Sequence, residues 1–228
     1  TTRGVFVVAG PKSRELIQRC SKALLDNQNF PWLSAKNIEI GLASVYAMRV
    51  SFVGELGWEL HHPIEYQNQI FDILFAEGKD LGLKPFGVRA MDSLRLEKSY
   101  RLPGRELSIE YSALESGLDR FISENKGSFL GRNGLAEWKA KGFANSFATL
   151  EIINVLDADP VGNNPIYHNG MLVGRATSGG YGHRIGKSIA LAMINPEYNK
   201  EDIKLEMDIL GKKYICKILN ESPYDPKN

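Results

Sequence analysis

Cysteine is scarce: Cys20 and Cys216 are the only two in 228 residues. They lie far apart in otherwise helix-like and strand-like patterns, which argues against a disulfide framework or a zinc site. Buried free thiols in a reducing compartment, the cytoplasm or the mitochondrial matrix, are expected instead. A dominant sign of charge is also missing, since 28 basic residues meet 27 acidic ones and leave a formal +1. Nonspecific nucleic-acid binding needs a net basic footprint, and no basic run exceeds the turn-like Gly211-Lys212-Lys213, so nucleic acid is not an expected partner. No apolar run nears the roughly 18 residues of a membrane helix, no signal peptide opens the chain, and no membrane role is expected. The first residue is not Met. Thr1-Thr2-Arg3 leads at once into a buried-looking strand, as expected of a segment cut from a longer polypeptide.

Several chemistries drop out next. His61, His62, His168 and His183 show neither HxxH nor HExxH spacing, and neighbours on a strand point oppositely, so no metal site is predicted. Gly-x-Ser-x-Gly is absent, and the glycine-rich Thr177-Ser178-Gly179-Gly180 reads as a tight β turn. No dinucleotide fingerprint appears, so a flavin or nicotinamide has no obvious place here.

What is present has the length for a real core, burying roughly 70 % of the unfolded surface. Gly4 to Val8 is an apolar strand, and Pro11 suits the first position of a helix running to Leu25. Lys12-Ser13 does not complete a P-loop, so plain strand-to-helix packing outweighs anion binding at that helix start. Asn27 to Trp32 reads as loop and Ile38 to Leu42 as strand. Ile64 to Glu77 is helical, with Tyr66, Ile70, Ile73 and Leu74 on one face and Gly78 as its cap. A second helix spans Val88 to Ser99, with Ala90, Met91, Leu94 and Leu96 inward and Asp92, Arg95, Glu97 and Lys98 in solvent. Tyr100 to Leu107 is irregular, Glu110 to Leu118 a single helical turn, and Gly131 to Lys141 a third helix with Leu135 and Trp138 inward.

Beyond Gly142 helical periodicity vanishes. Phe147 to Ile153, Ser188 to Ile194, and the pair Lys204 to Leu210 and Tyr214 to Leu219 around Gly211 read as strands. Ile166 to Val173 is a hairpin turning on Asn169-Gly170 in a type I′ turn. Strands at this spacing predict a small barrel or sandwich. The fold class is therefore α+β, an α/β region over residues 1–141 followed by an all-β domain over 142–228.

The most informative stretch is Val45 to His61, VYAMRVSFVGELGWELH. Tyr46, Met48, Val50 and Phe52 share one face of an extended strand, and Val45, Ala47, Arg49 and Ser51 the other. Gly54 and Gly57 allow a tight turn or a close backbone approach. Glu55, Trp58 and Glu59 follow, with a second strand from Trp58 to His61. A carboxylate in such a corner can accept two adjacent N–H donors from an amidine-like ring, while Phe52, Trp58 or Leu60 offers an apolar slot. A plain hairpin, with Trp58 in the core and the acids solvated, is the alternative.

Ser51 to Leu60 resembles the Tyr-Thr-Gly-Glu-x-Gly-x-Glu signature of the tetrahydrofolate-binding aminomethyltransferase, or glycine cleavage T-protein, superfamily. The resemblance extends in family order through Ala9-Gly10-Pro11, Phe86-Gly87, Asp92 to Lys98, Gly104 to Leu107, Phe129 to Arg132, Val173-Gly174 and Thr177 to Gly179. Leu94 to Lys98 with Tyr100-Arg101 is most similar to the C-terminal portion of dimethylglycine and sarcosine dehydrogenases. There an upstream FAD domain oxidises an N-methyl amine and the T-protein-like half passes the one-carbon unit to tetrahydrofolate. The resemblance implies that Glu59 anchors the pterin, with Leu60, His61 and Phe52 beside it. It also implies that FAD and the catalytic Asp belong to an upstream part of the same polypeptide. Phe52 replaces the usual Tyr, and Met91 stands where T-proteins proper carry an Arg, which favours the dehydrogenase-like subgroup. The alternatives are a flavin-free aminomethyltransferase or folate-dependent demethylase, and a non-catalytic folate-binding or assembly module.

Overall fold

The alternation of β-branched and polar residues near the start of the chain builds an antiparallel sheet. In a computed structural model that describes residues 2–123, 125–155 and 157–227, β1 (Arg3–Ala9), β2 (Ala35–Ile40), β3 (Ala43–Met48) and β4 (Gly57–Pro63) pair in the order β1-β4-β3-β2. Thr1 lies outside the described residues. One face carries Val8, Ile38, Ile40, Val45, Ala47, Trp58 and Leu60 into a core closed by Leu16 and Ile17 of α1 (Ser13–Cys20) and Ile70 and Leu74 of α2 (Gln67–Gly78). The chain forms two compact units, Thr1–Met91 and Asp92–Asn228, and this sheet with its two helices is the first.

Two expectations about these helices change. α1 ends at Cys20 rather than Leu25, because the Gln18 side chain takes over the backbone beyond it. Its Nε2 donates to the carbonyls of Ser21 and Ala23, and its Oε1 accepts from the Leu25 N–H. Ser21 is extended as a result. Gly78 is not a left-handed cap, since Lys79 after it is still helical. A Cβ at Gly78 would sit 2.7 Å from the Leu83 side chain, so packing selects the glycine.

α3 (Val88–Glu97) departs most from the sequence reading. Arg95, Glu97 and Lys98 are buried, whereas Ala90 is exposed and Met91 and Leu94 only half-buried. Each charge has a partner, local for Arg95 and far along the chain for Glu97 and Lys98. Arg95 Nε donates to Asp92 at 2.6 Å and Nη1 to the Tyr100 carbonyl at 3.2 Å. Glu97 Oε1 accepts from the Arg184 and Ile185 N–H groups at 2.7 and 3.2 Å, and Lys98 Nζ donates to the Asp225 carbonyl at 2.6 Å. Buried charges persist only when paired and hydrogen-bonded in this way.

The second unit closes a six-stranded barrel from β5 (Ser146–Ile152), β6 (Pro165–His168), β7 (Met171–Gly182), β8 (Lys187–Ile194), β9 (Leu205–Ile209) and β10 (Lys212–Leu219), in the order β10-β5-β8-β7-β6-β9. Closure removes exposed edges. Asn169 (φ 50°) and Gly170 (φ 80°) make the expected tight hairpin, and Leu210 (φ 52°) and Gly211 (φ 81°) make another. β8 is buried along nearly its whole length, because Leu96, Phe147 and Ile185 cover Ile189 and Leu191 on its outer side. Thr177 to Gly180 lies within β7 and is not a turn. A register shift between Ala176 and Ser178 lets the adjacent Thr177 and Ser178 hydroxyls both reach Glu106 Oε1, each at 2.5 Å. α4 (Arg132–Lys141) buries no residue; Leu135 is half-covered and Trp138 is exposed, contrary to expectation.

Both cysteines are free, Cys216 buried in the barrel and Cys20 half-buried. Burial pushes the Cys216 thiol up to about 12; burial and then the Glu77 charge push Cys20 up to about 11. The folded chain keeps these thiols protonated while an unfolded cysteine ionises near about 8.5. Stability is therefore expected to fall as pH rises from there towards about 12, at ~1.4 kcal/mol per pH unit for Cys216. Urea titrations across that range should show Cys216→Ala flattening the slope relative to the parent chain.

Candidate functional site

β4 divides its residues between two faces by simple alternation. Trp58, Leu60 and His62 point into the covered side and are fully buried, while Glu59 and His61 stand on the open face of the sheet. Register then sets their neighbours. Val5, His61 and Tyr46 lie side by side across three strands, and so do Val7, Glu59 and Met48. Val5, Val7 and Tyr46 remain 40–45 % exposed, so an acid and an imidazole sit in a largely apolar setting open on one side.

Glu59 Oε2 lies 3.0 Å from His61 Nε2, with side-chain exposures of 36 % and 29 %. With the imidazole proton on Nε2, His61 donates to one carboxylate oxygen and leaves the other for a ligand. A ring presenting two parallel N–H donors needs both oxygens, so His61 must share Oε2 or swing aside. This pair is what the site can do chemically: accept donors at a carboxylate whose approach is framed by hydrocarbon.

The corner before β4 is pinned rather than loose. Ser51 Oγ accepts from the Val53 and Glu55 N–H groups, and Gly54 adopts φ 68°. The Leu56 carbonyl accepts from both Gly10 N–H at 2.8 Å and Ser13 Oγ at 2.9 Å, tying the corner to the β1–α1 turn. Gly57 packs so closely that a Cβ would lie 3.2 Å from the Val8 carbonyl oxygen.

Of the residues singled out from the sequence, Glu59 and His61 are brought together. The Leu60 side chain points the other way, into the core, and only its backbone borders the open face. Trp58 is likewise a core residue, so neither supplies a slot beside Glu59. Phe52 is half-buried in the bend after β3, not on a strand. Arg49 still exchanges backbone hydrogen bonds with Ser34 and Leu33 at 2.9 and 3.1 Å, and the Val50 N–H then turns back to the Met48 carbonyl at 3.0 Å, a three-residue turn that ends the pairing there. Val5 and Val7 were missed as neighbours of Glu59. Alternation alone gives their face, but the β1–β4 register that seats them there is a tertiary fact.

Among the described residues no three His, Cys, Asp or Glu side chains group to hold a metal ion, and no helix is long and apolar enough to cross a membrane.

A helix-backed sheet carrying a glycine corner on an inner strand, followed by a closed barrel, is an aminomethyltransferase-like architecture. Residues 1–126 match the GCVT N-terminal domain and residues 146–225 the glycine cleavage T-protein C-terminal barrel domain. The chain belongs to the glycine cleavage T-protein family, and it is homologous to the aminomethyltransferase-like region of dimethylglycine and sarcosine dehydrogenases. It is 37 % identical over 219 residues to mitochondrial dimethylglycine dehydrogenase of Homo sapiens, covering 96 % of this chain and 25 % of that protein. To the 4-methylaminobutanoate oxidase (formaldehyde-forming) of Paenarthrobacter nicotinovorans it is 36 % identical over 225 residues, covering 96 % and 27 %. The chain thus spans about a quarter of the length of these relatives. The aminomethyltransferase of the Bartonella henselae glycine cleavage system shares the fold, with a TM-score of 0.85 at 20 % identity over 98 % of this chain and 60 % of that one.

Proposed function

We propose that this chain is the tetrahydrofolate-binding portion of a dimethylglycine/sarcosine dehydrogenase-like flavoenzyme, where it directs a one-carbon unit from an oxidised N-methyl amine onto folate. The observation that carries the reading is Glu59, a half-exposed carboxylate at the end of the family's glycine corner with an aliphatic surround. Tetrahydrofolate supplies the amine nitrogens that take up the one-carbon unit. The residues present fit its pterin: Glu59 accepts the ring's adjacent N–H donors, Val5 and Val7 flank the ring and limit water, and His61 holds a proton at Nε2 that steadies the carboxylate. Phe52, in the bend before β4, and the Leu60 backbone complete the surround. In this reading FAD, and the acid that catalyses transfer, belong to an upstream domain of the full polypeptide, as relatives that carry this region within longer chains support. A reducing compartment, cytoplasmic or mitochondrial, suits the free thiols.

We place the domain boundary at Lys141/Gly142, in the gap between the two family matches. The compact units instead part at Met91/Asp92, because residues 92–145 are bonded to the barrel through the Glu97 and Glu106 side chains and through the Glu115 carbonyl, which accepts from the Phe147 N–H at 2.8 Å; a family domain need not coincide with a packing unit.

Titration calorimetry with tetrahydrofolate on the full-length protein tests the anchor. Charge-assisted hydrogen bonds shielded from water contribute roughly 1.5–3 kcal/mol, so Glu59→Gln is expected to weaken binding about ten- to a hundredfold with an unchanged melting temperature. Equal affinities for parent and variant would remove Glu59 from the role. One relative's name states formaldehyde formation, which favours a second reading in which the one-carbon unit leaves as formaldehyde. Formaldehyde release that persists undiminished under saturating tetrahydrofolate would select it.

A further inference from the structure

The covered side of β4 holds a second polar feature that the folate reading does not use. Trp58 is fully buried, yet its indole Nε1–H has no hydrogen-bond partner. Two guanidinium groups lie over its ring, Arg14 from α1 and Arg49 from the segment after β3, each with its central carbon 5.8 Å from the ring centroid. Their buried Nε–H groups are unpartnered as well. Among the described residues Arg14 Nη2 donates to Asn27 Oδ1 at 2.7 Å and Arg49 Nη1 to the Phe30 carbonyl at 2.7 Å. Among the described residues neither has a carboxylate within ion-pairing distance, unlike Arg19 one turn along, which pairs with Glu15 and Asp80.

The nearby charges are of both signs, and the acids among them are committed elsewhere, Glu15 to Arg19. Phe30 meets Trp58 edge-on at 6.2 Å, and Lys36 Nζ sits 5.6 Å over the Phe30 ring. Asp26, an acid on the same loop as Phe30, has its carboxylate committed to Asn29 and Gln28. Burial and then the Arg14 charge lower the pKa of Arg49. Buried N–H donors are nearly always satisfied in folded proteins, and three left over around one indole ask for a common acceptor. Arg14 also lines a surface groove of about 390 Å³ with Glu15, Gln18, Arg19 and Asp26, which gives solvent access to one of the two guanidiniums.

We infer that Arg14, Arg49 and the Trp58 indole N–H form a binding site for a small oxyanion, a carboxylate or a phosphate group. A planar guanidinium suits such an oxyanion through paired N–H bonds, and a cationic pair stacked on an indole stays oriented when the anion leaves. The site is independent of the folate proposal, because alternation along β4 turns Trp58 and Glu59 to opposite faces.

The test is an ¹⁵N NMR titration of the indole N–H signals, three in this chain, with Trp58 identified through Trp58→Phe. Inorganic phosphate and malonate are added separately at constant ionic strength, so that screening does not mimic binding. A saturable shift of the Trp58 signal in the millimolar range is expected with at least one probe, and the stronger probe identifies the oxyanion. Arg14→Gln is expected to weaken it about tenfold or more, and Arg49→Lys likewise, since lysine keeps the charge but loses the fork. Arg3→Gln should leave it unchanged. Arg14 lies on a half-exposed helix position, so its variant keeps the test valid if Arg49 substitutions unfold the chain. No saturable shift with either probe, or equal affinity in Arg14→Gln, overturns the site and leaves a purely structural stack.

Discussion

Glu106→Ala is expected to destabilise the second unit by about 3–5 kcal/mol, the cost of breaking a buried charge pair from one side. Glu106 is fully buried and gathers three donors, one local and two from β7: Leu102 N–H at 2.8 Å on Oε2, and the Thr177 and Ser178 hydroxyls on Oε1. Arg95 Nη1 stands 3.7 Å away and is itself only 1 % exposed. Alanine would take a carboxylate from beside the buried Arg95 guanidinium and leave the Leu102 N–H and the Ser178 hydroxyl without their acceptor, while Arg95 keeps Asp92 and Thr177 keeps the Leu191 carbonyl; each unsatisfied group adds its own penalty. Glu106→Gln keeps the shape and one acceptor but sets an amide where an anion was, and should lose less, roughly 1–3 kcal/mol. Urea unfolding followed by circular dichroism distinguishes the two, because the midpoint should move far more for alanine than for glutamine. Equal and small shifts would mean that water fills the gap, and that Glu106 is not the tie between the 101–107 segment and the barrel.

The same network shows where the sequence could be read and where it could not. Strand identity was legible because alternation is local: Val45 and Ala47 face in, Tyr46 faces out, and Asn169-Gly170 turns a hairpin. The same rule sets Trp58 and Leu60 on the face opposite Glu59, against the expectation that either could form a slot beside it. Burial of Arg95, Glu97 and Lys98 was not legible, since a charged residue reads as solvated until its partner is known. Their partners are 87 or more positions away for Glu97 and 127 for Lys98. Thr177 to Gly180 failed for a related reason. Glycines in a row signal a turn by composition, but here a register shift and a close neighbouring backbone require small residues inside a long strand. Alternation extends the strand to Phe52, but one backward hydrogen bond at Val50, invisible to hydropathy, ends the pairing after Arg49.

Gly179→Ala is expected to cost about 3 kcal/mol, the upper part of the usual range for overpacking, although nothing about its backbone conformation demands glycine. It lies in β7, paired with Ala190 of β8, and its φ is not positive. The constraint is contact: a Cβ there would lie 2.4 Å from the Pro160 carbonyl oxygen and 2.6 Å from its carbon. Those are backbone atoms, so no rotamer change relieves the overlap, and either the 157–164 loop lifts or β7 bends away from β8. The loss exceeds the roughly 0.4–1 kcal/mol that alanine gains by restricting the unfolded chain. Gly134→Ala isolates that gain. Gly134 sits inside the exposed helix α4 with nothing within 4 Å of a new Cβ, so the same substitution should stabilise by up to ~1 kcal/mol. Thermal melts of the two variants should therefore move in opposite directions. A Gly179→Ala protein that melts with the parent would show that Pro160 does not press on β7 and that the barrel wall has room for a methyl group there.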